Sequence, residues 1–203
     1  MSGLRYLNRP WDPENFNKGG GDNKGTSEGD NNNNNNNNHS SSLRSGKVSI
    51  IHFDLKPANI LFDEMGDVKI TDFGLSKIID ESNEGTSMEL TSQGAGTYWY
   101  LPPECFPKGG VAPRISSKVD VWSVGIIFYQ MMYGFRPYGE GKSQESVWSE
   151  GLSYDQVSFP PESKVIPKVS EEAKDLIRAC LTKDQRLRPD VLTLCQSPYL
   201  KNK

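Results

Sequence analysis

At residues 52–59 the chain carries the stretch HFDLKPAN, and the rest of the sequence is best understood around it. The stretch places a carboxylate (Asp54), an ammonium (Lys56) and an amide (Asn59) at the spacing D-x-K-x-x-N. Pro57 fixes φ and lacks a backbone donor, so we expect a rigid loop here rather than a helix. Each residue alone has an ordinary alternative, because Asp and Asn favour turns and a lysine can be a solvated charge.

A short hairpin and a second carboxylate follow this loop. Apolar residues 60–62 and the V-K-I run at 68–70 flank a turn at 63–67, and this pattern predicts a β-hairpin. The tripeptide D-F-G at 72–74 comes soon after and delivers Asp72 at the end of a strand. Taken singly, Asp72 could be a helix or turn cap.

In this order the four polar side chains fit the chemistry of phosphoryl transfer. Asp54 can accept the proton of an attacking hydroxyl, and Lys56 can neutralise charge on the moving phosphoryl group. Asn59 and Asp72 supply the hard oxygen ligands that Mg²⁺ prefers.

The two stretches resemble the H-R-D-L-x-x-x-N and D-F-G signatures of the protein kinases, with Phe53 where arginine is usual. The resemblance implies ATP and Mg²⁺ as cofactors and a structural role for His52. The residues that it implies at the nucleotide are Lys56, Asn59, Leu61 and Asp72. Those that it implies as metal ligands are Asn59 and Asp72, and those that it implies in catalysis are Asp54, Lys56 and Thr97.

Residues 75–103 are rich in Ser, Thr and Gly and lack clear periodicity. By resemblance they form the activation segment, which ends at residues 102–104 (Pro-Pro-Glu). Thr97 matches the threonine whose hydroxyl bridges the catalytic aspartate and lysine in Ser/Thr kinases. With Lys56, it indicates serine or threonine acceptors rather than tyrosine.

Phe53 has a consequence for regulation. An arginine at this position can hold a phosphate of the activation segment through a bidentate contact, and phenylalanine cannot. We therefore hypothesise that packing holds the segment, and that phosphorylation is not the main on-switch. The hydroxyl residues that could test this are Thr86, Thr91 and Ser92.

A buried helix is predicted between Ser117, as an N-cap signal, and Gly134, because its apolar residues go nearly all the way round. Asp120 on such a helix needs partners, and by resemblance it receives backbone N–H groups of the catalytic loop. The alternative is a first-turn acid favoured by the helix dipole. Arg188 matches the kinase arginine that pairs with Glu104; the alternative is a surface arginine.

Three further helices are expected. Ser170 as a cap and two acidic residues after it predict an amphipathic helix over 170–181. A weaker helix is predicted at 144–148 and a short one at 191–195.

Within the kinases, residues 88–106, 115–125 and 190–200 are similar to the Tousled-like kinases. That family carries tyrosine rather than arginine at the position of Phe53, and the resemblance extends from about residue 49 to 200. It implies a nuclear Ser/Thr kinase that acts on histone chaperones and other chromatin proteins.

Composition excludes several other classes. The formal net charge of -3 argues against direct binding of nucleic acid or of an anionic membrane. The three cysteines lack C-x-x-C spacing, which indicates a reduced intracellular compartment without a disulfide framework or a zinc site. We see no signal peptide, and the longest apolar stretch is too short to span a bilayer. The oligomeric state is left open.

The chain divides into four parts by composition. Residues 9–47 contain the unbroken asparagine run 31–38 and Gly and Ser clusters, which predict a disordered insertion. The predicted parts are the end of the helix that precedes the catalytic loop (1–8), the insertion (9–47), a kinase C-lobe (48–200) and a tail (201–203).

No G-x-G-x-x-G loop and no V-A-I-K lysine occur in the sequence, although kinases carry both in a small N-lobe. The predicted fold class is therefore protein kinase-like (α+β), a predominantly α-helical C-lobe with short β-hairpins and without an N-lobe. Two functions follow from this. The chain is either a truncated Ser/Thr kinase with little activity alone, or a non-catalytic C-lobe that binds proteins through an apolar face including Leu61.

Overall fold

The structure is a computed structural model, and the residues that it describes are 48–80, 88–90, 95–106, 112–150, 152 and 154–201. Several predictions lie outside these residues: the helix end at 1–8, the insertion at 9–47, the three hydroxyl residues of the activation segment, and the last two residues of the tail. None of the helices within the described ranges is long and apolar enough to cross a membrane.

The described residues form five α-helices, which account for most of the regular structure. They are α1 (Lys118–Tyr133), α2 (Gln144–Glu150), α3 (Glu171–Cys180), α4 (Val191–Leu194) and α5 (Pro198–Lys201). Short 3₁₀ turns at Pro57–Asn59, Tyr98–Tyr100 and Pro103–Cys105 all precede α1 in the sequence.

The strands form three separate antiparallel pairs. They are β1 (Val48–Ile51), β2 (Ile60–Phe62), β3 (Val68–Ile70), β4 (Lys77–Asp80), β5 (Met88–Glu89) and β6 (Arg114–Ile115). The pair β2–β3 is the predicted hairpin, in which Ile60 lies opposite Ile70. The pairs β1–β4 and β5–β6 join strands that are distant in sequence, and neither was predicted.

The central element is α1, as its apolar pattern predicts. Trp122 and Ile126 are almost completely buried, and the helix ends at Gly134, whose φ of 83° lies in the left-handed region. Ser117 occupies the N-cap position, as predicted, but it has helical backbone angles and its side chain makes no capping bond. The preceding residue already turns the chain, with Ser116 O accepting from Val119 N.

Helix α3 packs closely against α1. A Cβ added at Gly125 of α1 would lie 2.5 Å from the Cβ of Cys180, so the glycine permits this approach. The predicted Ser170 cap is confirmed, since its hydroxyl accepts from the N–H of Ala173 at 3.3 Å. The predicted short helices correspond to α2 and α4.

The core consists of two apolar clusters. The larger one surrounds α1 and α3 and is rich in aromatic residues such as Trp122 and Tyr138. The smaller one is built around Phe53, which is 1% exposed, and joins β1, β4 and β6 to the loop that follows Thr97. The loop at residues 52–59 therefore runs between the two clusters, with Phe53 in the smaller one and Leu55 in the larger one.

Candidate active site

Asp120 of α1 fixes the start of the loop at residues 52–59. This residue lies in the first turn of α1 and is fully buried. Its carboxylate accepts from the backbone N–H of His52 at 2.7 Å and from that of Phe53 at 3.0 Å. The predicted contact is therefore present. Burial raises the pKa of Asp120 to about 6, against the opposing effect of the two backbone hydrogen bonds.

The loop backbone contains a strained position. Phe53 has a φ of 70° although it is not glycine, a conformation that costs free energy and persists only where the surroundings impose it. Here burial of the Phe53 ring and the bonds to Asp120 impose it. Pro57 opens a 3₁₀ turn rather than a plain loop, and at this first position its missing N–H has no cost.

Asp54, Lys56, Asn59 and Thr97 meet in one hydrogen-bond network. The hydroxyl of Thr97 donates to Asp54 Oδ1 at 2.7 Å, and Lys56 Nζ donates to Asp54 Oδ2 at 2.7 Å. Lys56 Nζ also donates to Thr97 Oγ1 at 3.1 Å. Asn59 Nδ2 donates to the backbone oxygen of Asp54 at 2.9 Å and to Oδ2 at 3.3 Å.

This network sets the charge of Asp54. Burial tends to raise the pKa of its carboxyl group, but the hydrogen bonds from Lys56, Thr97 and Asn59, together with the charge of Lys56, outweigh burial and hold the pKa below its usual value. The carboxylate is therefore ionised at neutral pH. An oriented, ionised carboxylate of this kind can accept a proton from a hydroxyl group brought next to it.

The segment around Asp72 is tied to the same loop through its neighbours. Thr71 N donates to the backbone oxygen of Asn59 at 3.0 Å, and His52 Nε2 donates to Thr71 O at 2.9 Å. The rings of His52 and Phe73 make an edge contact at 4.8 Å. Asp72 is exposed, and its backbone φ is 61°. Its carboxylate accepts from the N–H of Gly74 at 3.3 Å.

The donor set suits a hard divalent cation. Because Asn59 uses Nδ2 to bond Asp54, its Oδ1 is directed away from that carboxylate, and the exposed carboxylate of Asp72 is on the adjoining segment. Mg²⁺ is usually bound by one or two carboxylate or amide oxygens, together with phosphates and water. No group of three or more His, Cys, Asp or Glu side chains that could hold a metal occurs among the described residues.

Leu61 lies on the opposite side of the hairpin from the core. It is 51% exposed and pairs with Lys69, whereas its neighbours Ile60 and Phe62 point to the other face. Its side chain is available to contact a flat apolar group.

Glu104, at the end of the predicted activation segment, is held by a buried ion pair. Arg188 is fully buried and donates from both terminal nitrogens to Glu104, at 2.6 and 3.1 Å. It also donates to the backbone oxygens of Lys118 and Thr182, and its guanidinium stacks 5.0 Å from the ring of Trp122. The predicted pair is present, and the surface alternative for Arg188 is excluded.

Two contacts that support Thr97 were not predicted. Gln144 of α2 accepts from the backbone N–H of Tyr98 at 2.6 Å, and the rings of Tyr98 and Trp148 stack at 5.2 Å. Both are contacts over more than 40 residues of sequence. No local pattern signals them, although the weak helix that contains Gln144 was predicted.

The sequence model of the protein kinase domain matches residues 44–200, which is most of the chain. The chain therefore belongs to the protein kinase family, as the catalytic-loop and D-F-G stretches predicted.

Comparison with curated proteins identifies Tousled and Tousled-like relatives. Over 153 residues, 74% of this chain, it is 60% identical to the serine/threonine-protein kinase TOUSLED of Arabidopsis thaliana, of which this covers 22%. It is 54% identical over 161 residues to tousled-like 2 of Homo sapiens, covering 76% of the chain and 20% of that protein. It is 46% identical to tousled-like 1 of Caenorhabditis elegans, covering 16% of that protein. The chain thus spans about a fifth of the length of these relatives.

Proposed function

We propose that the residues around Asp54 form the hydroxyl-acceptor side of a Ser/Thr protein kinase site of Tousled-like type. The reaction is transfer of the γ-phosphoryl group of ATP to a serine or threonine hydroxyl of a protein. The observation that carries the proposal is the bridging hydroxyl of Thr97, which donates to Asp54 Oδ1 at 2.7 Å and accepts from Lys56 Nζ at 3.1 Å.

In the proposed mechanism, Asp54 orients the acceptor hydroxyl and accepts its proton, since the carboxylate is ionised and held from both oxygens. Lys56 is partly exposed beside it and stabilises negative charge that develops on the transferred group. Thr97 fixes both side chains in one arrangement and joins them to the activation segment. ATP would supply the phosphoryl group, and Mg²⁺ bound with it would neutralise charge on the phosphates.

We further propose that Asn59 and Asp72 hold Mg²⁺ and that Leu61 contacts the adenine ring. The support is the orientation of Asn59, whose Nδ2 bonds Asp54, together with the exposed carboxylate of Asp72 and the exposed side chain of Leu61. We also infer that residues 48–200 correspond to the larger lobe of a kinase, because the described part consists of helices around α1 with strands in two-stranded pairs.

The test is an assay of the 203-residue chain with γ-³²P-labelled ATP, Mg²⁺ and a Ser/Thr peptide library, alongside binding of Mg²⁺–ATP by thermal shift. We expect weak transfer, because the sequence carries neither the G-x-G-x-x-G loop nor the V-A-I-K lysine that hold the phosphates in kinases, and complete loss of it in Asp54→Asn. We expect Asp72→Ala to abolish the thermal shift. The proposal would be contradicted if transfer persisted in Asp54→Asn. It would also be contradicted if nucleotide binding were unchanged both without Mg²⁺ and in Asp72→Ala.

A second candidate is a non-catalytic module that binds a protein partner. The observation that favours it is the exposure of two apolar side chains beside the site, Leu61 at 51% and Phe73 at 44%. This alternative predicts no transfer at all and no Mg²⁺-dependent nucleotide binding. The same two measurements therefore distinguish the candidates.

Location and substrates are proposed from the Tousled-like resemblance alone. We propose a nuclear protein whose substrates include histone chaperones and other chromatin proteins. Tagged protein found outside the nucleus, or a phosphorylated-peptide set without chromatin proteins, would contradict this.

A further inference from the structure

One face of α2 forms an aromatic cluster with the residues that follow Thr97. Tyr98, the residue after Thr97, stacks on Trp148 of α2 with a distance of 5.2 Å between the ring centroids. The ring of Phe106 lies 6.0 Å from that of Tyr98 and 6.1 Å from that of Trp148, and it completes the cluster. Because Trp148 is 37% exposed, part of the cluster is open to solvent beside the candidate active site.

The cluster is held in place by the core and by the backbone of the segment. Val147, the neighbour of Trp148 in α2, is fully buried, and Gln144 accepts from the backbone N–H of Tyr98 at 2.6 Å. Tryptophan and tyrosine are enriched at the centres of protein interfaces. A ring that is already ordered loses little conformational entropy when a partner packs on it.

Glu145 gives the same face a negative charge. It is exposed and precedes Trp148 by three residues, so the two side chains are neighbours on the helix surface. The two basic residues between 134 and 160 are already paired with other acids, and these pairs are Arg136–Glu140 and Lys142–Glu150. The carboxylate of Glu145 forms no ion pair with any residue that the structure describes. The face is therefore complementary to a basic group beside an apolar one.

We propose that Tyr98, Glu145 and Trp148 form a docking surface for a segment of the acceptor protein in which an apolar side chain stands next to a lysine or arginine. The apolar side chain packs on the exposed part of Trp148, and the basic group lies beside the carboxylate of Glu145. This inference rests on the proposed function, because it describes the protein that brings its serine or threonine to Asp54.

One acceptor segment can reach both places at once, since the surface is continuous with the candidate active site. The bonds and contacts that connect Asp54 through Thr97 and Tyr98 to the Trp148 ring add up to at most about 18 Å, which about five or six residues of extended chain can span. The apolar–basic pair therefore lies within about six residues of the acceptor hydroxyl.

The preference can be measured as the binding of fluorescent peptides to the 203-residue chain without ATP. Each peptide contains one serine, and the pair Leu-Arg, Leu-Glu or Gly-Arg is placed at each distance up to six residues on either side of it. We expect a position at which Leu-Arg binds about threefold or more tightly than either other pair. Trp148→Ala should remove the preference for leucine, and Glu145→Lys should reverse the preference for arginine over glutamate.

Glu172→Lys is the matched control, because Glu172 is also an exposed acid in the first turn of a helix, α3. It should leave every preference unchanged. The docking surface would be overturned by peptides that show no preference, by tighter binding of Leu-Glu, or by equal effects of Glu172→Lys and Glu145→Lys. A dimer in sedimentation velocity that Trp148→Ala dissociates would assign the face to a second copy of the chain and would also overturn it.

Transfer of label from γ-³²P-labelled ATP to the same peptides separates this inference from the proposed function. If transfer depends on Asp54 but its rate depends neither on the Leu-Arg pair nor on Glu145, the docking surface is wrong and the proposed function stands. If Glu145→Lys reverses the binding preference while no peptide is phosphorylated, the docking surface stands and the proposed function is wrong.

Discussion

At the scale of single residues, Thr97 is the side chain on which the site geometry depends most. Its hydroxyl is in contact with both Asp54 and Lys56, and it is one of the groups that hold the pKa of Asp54 below its usual value. Thr97→Val keeps the shape of the side chain and removes this hydrogen bond. We expect the pKa of Asp54 to rise in this variant, because the charged form loses a donor.

The measurement is a titration of the Asp54 side-chain carboxyl by ¹³C NMR. Thr97→Ser restores a hydroxyl and should restore the lowered pKa, which separates loss of the bond from a change in packing. An Asp54 pKa that is the same in all three proteins would show that Lys56 and Asn59 set it without Thr97.

The raised pKa of Asp120 predicts that the free energy of unfolding depends on pH. Its pKa is about 6 in the folded protein, above the usual 3.8, so the folded state binds a proton between pH 4 and 6 that the unfolded chain releases. The free energy of unfolding therefore falls as the pH rises through this window and levels off above it. A shift of this size corresponds to up to about 3 kcal/mol.

The control is Asp120→Asn, which cannot titrate at this position. Urea unfolding of both proteins at pH 4, 5, 6 and 7 gives a difference that isolates Asp120 from the other carboxyl groups. We expect the wild type to lose stability relative to Asp120→Asn as the pH rises. A difference that stays constant or changes in the opposite direction would mean that the backbone bonds from His52 and Phe53 keep this carboxylate ionised.

At the scale of elements, the attachment of the activation segment to the helical core depends on Arg188. Nearby Arg186 provides a matched comparison, since it also makes a bidentate contact with a carboxylate, that of Asp184, but its side chain is 85% exposed. Removing one member of a buried pair leaves an uncompensated charge, whereas exposed pairs contribute little. We expect Arg188→Ala to lower the free energy of unfolding by about 3 kcal/mol or more.

Arg186→Ala should lower it much less, because solvent screens this exposed pair. Chemical denaturation of the two variants and the wild type measures both values. Equal losses would mean that Glu104 finds another partner when Arg188 is removed, and that the segment does not depend on this ion pair.

The same scale shows which elements a sequence can specify. The helices α1 and α3 and the β2–β3 hairpin were predicted, because their apolar periodicity, glycine stop, serine cap and turn residues are all local signals. The pairs β1–β4 and β5–β6 were not predicted. They join strands about 30 residues apart, and their formation depends on burial in the cluster around Phe53 rather than on any pattern within the strands.

The candidate site divides in the same way. Asp54, Lys56 and Asn59 lie within six residues of one another, so their spacing alone suggested a shared site. Thr97 is 43 residues from Asp54, and it was identified through the resemblance to protein kinases. Gln144 has no such signal and was missed. Its side chain accepts from a distant backbone N–H, and this contact depends on how α2 packs rather than on the residues next to Gln144 in the sequence.

At the scale of the whole molecule, Phe53 connects the site to the activation segment through packing. Its ring is buried in the smaller cluster, lies 5.6 Å from Lys77 Nζ, and would be 3.5 Å from a Cβ added at Gly96. This arrangement supports the hypothesis that packing, rather than a phosphate held by an arginine, keeps the segment in place. We therefore predict that amide exchange of residues 95–106 is the same before and after phosphatase treatment.

Phe53→Ala should accelerate this exchange strongly, because removal of a buried aromatic ring costs about 3–5 kcal/mol and frees the loop around Gly96. Met65→Ala, at a position 87% exposed in the hairpin turn, is the control and should have no effect. The hypothesis would be wrong if phosphatase treatment alone loosened residues 95–106, and if phosphorylation at Thr86, Thr91 or Ser92 restored their protection. In that case a basic side chain such as Lys77 would have to hold the phosphate, and the contact between Lys77 and the Phe53 ring would be broken on phosphorylation.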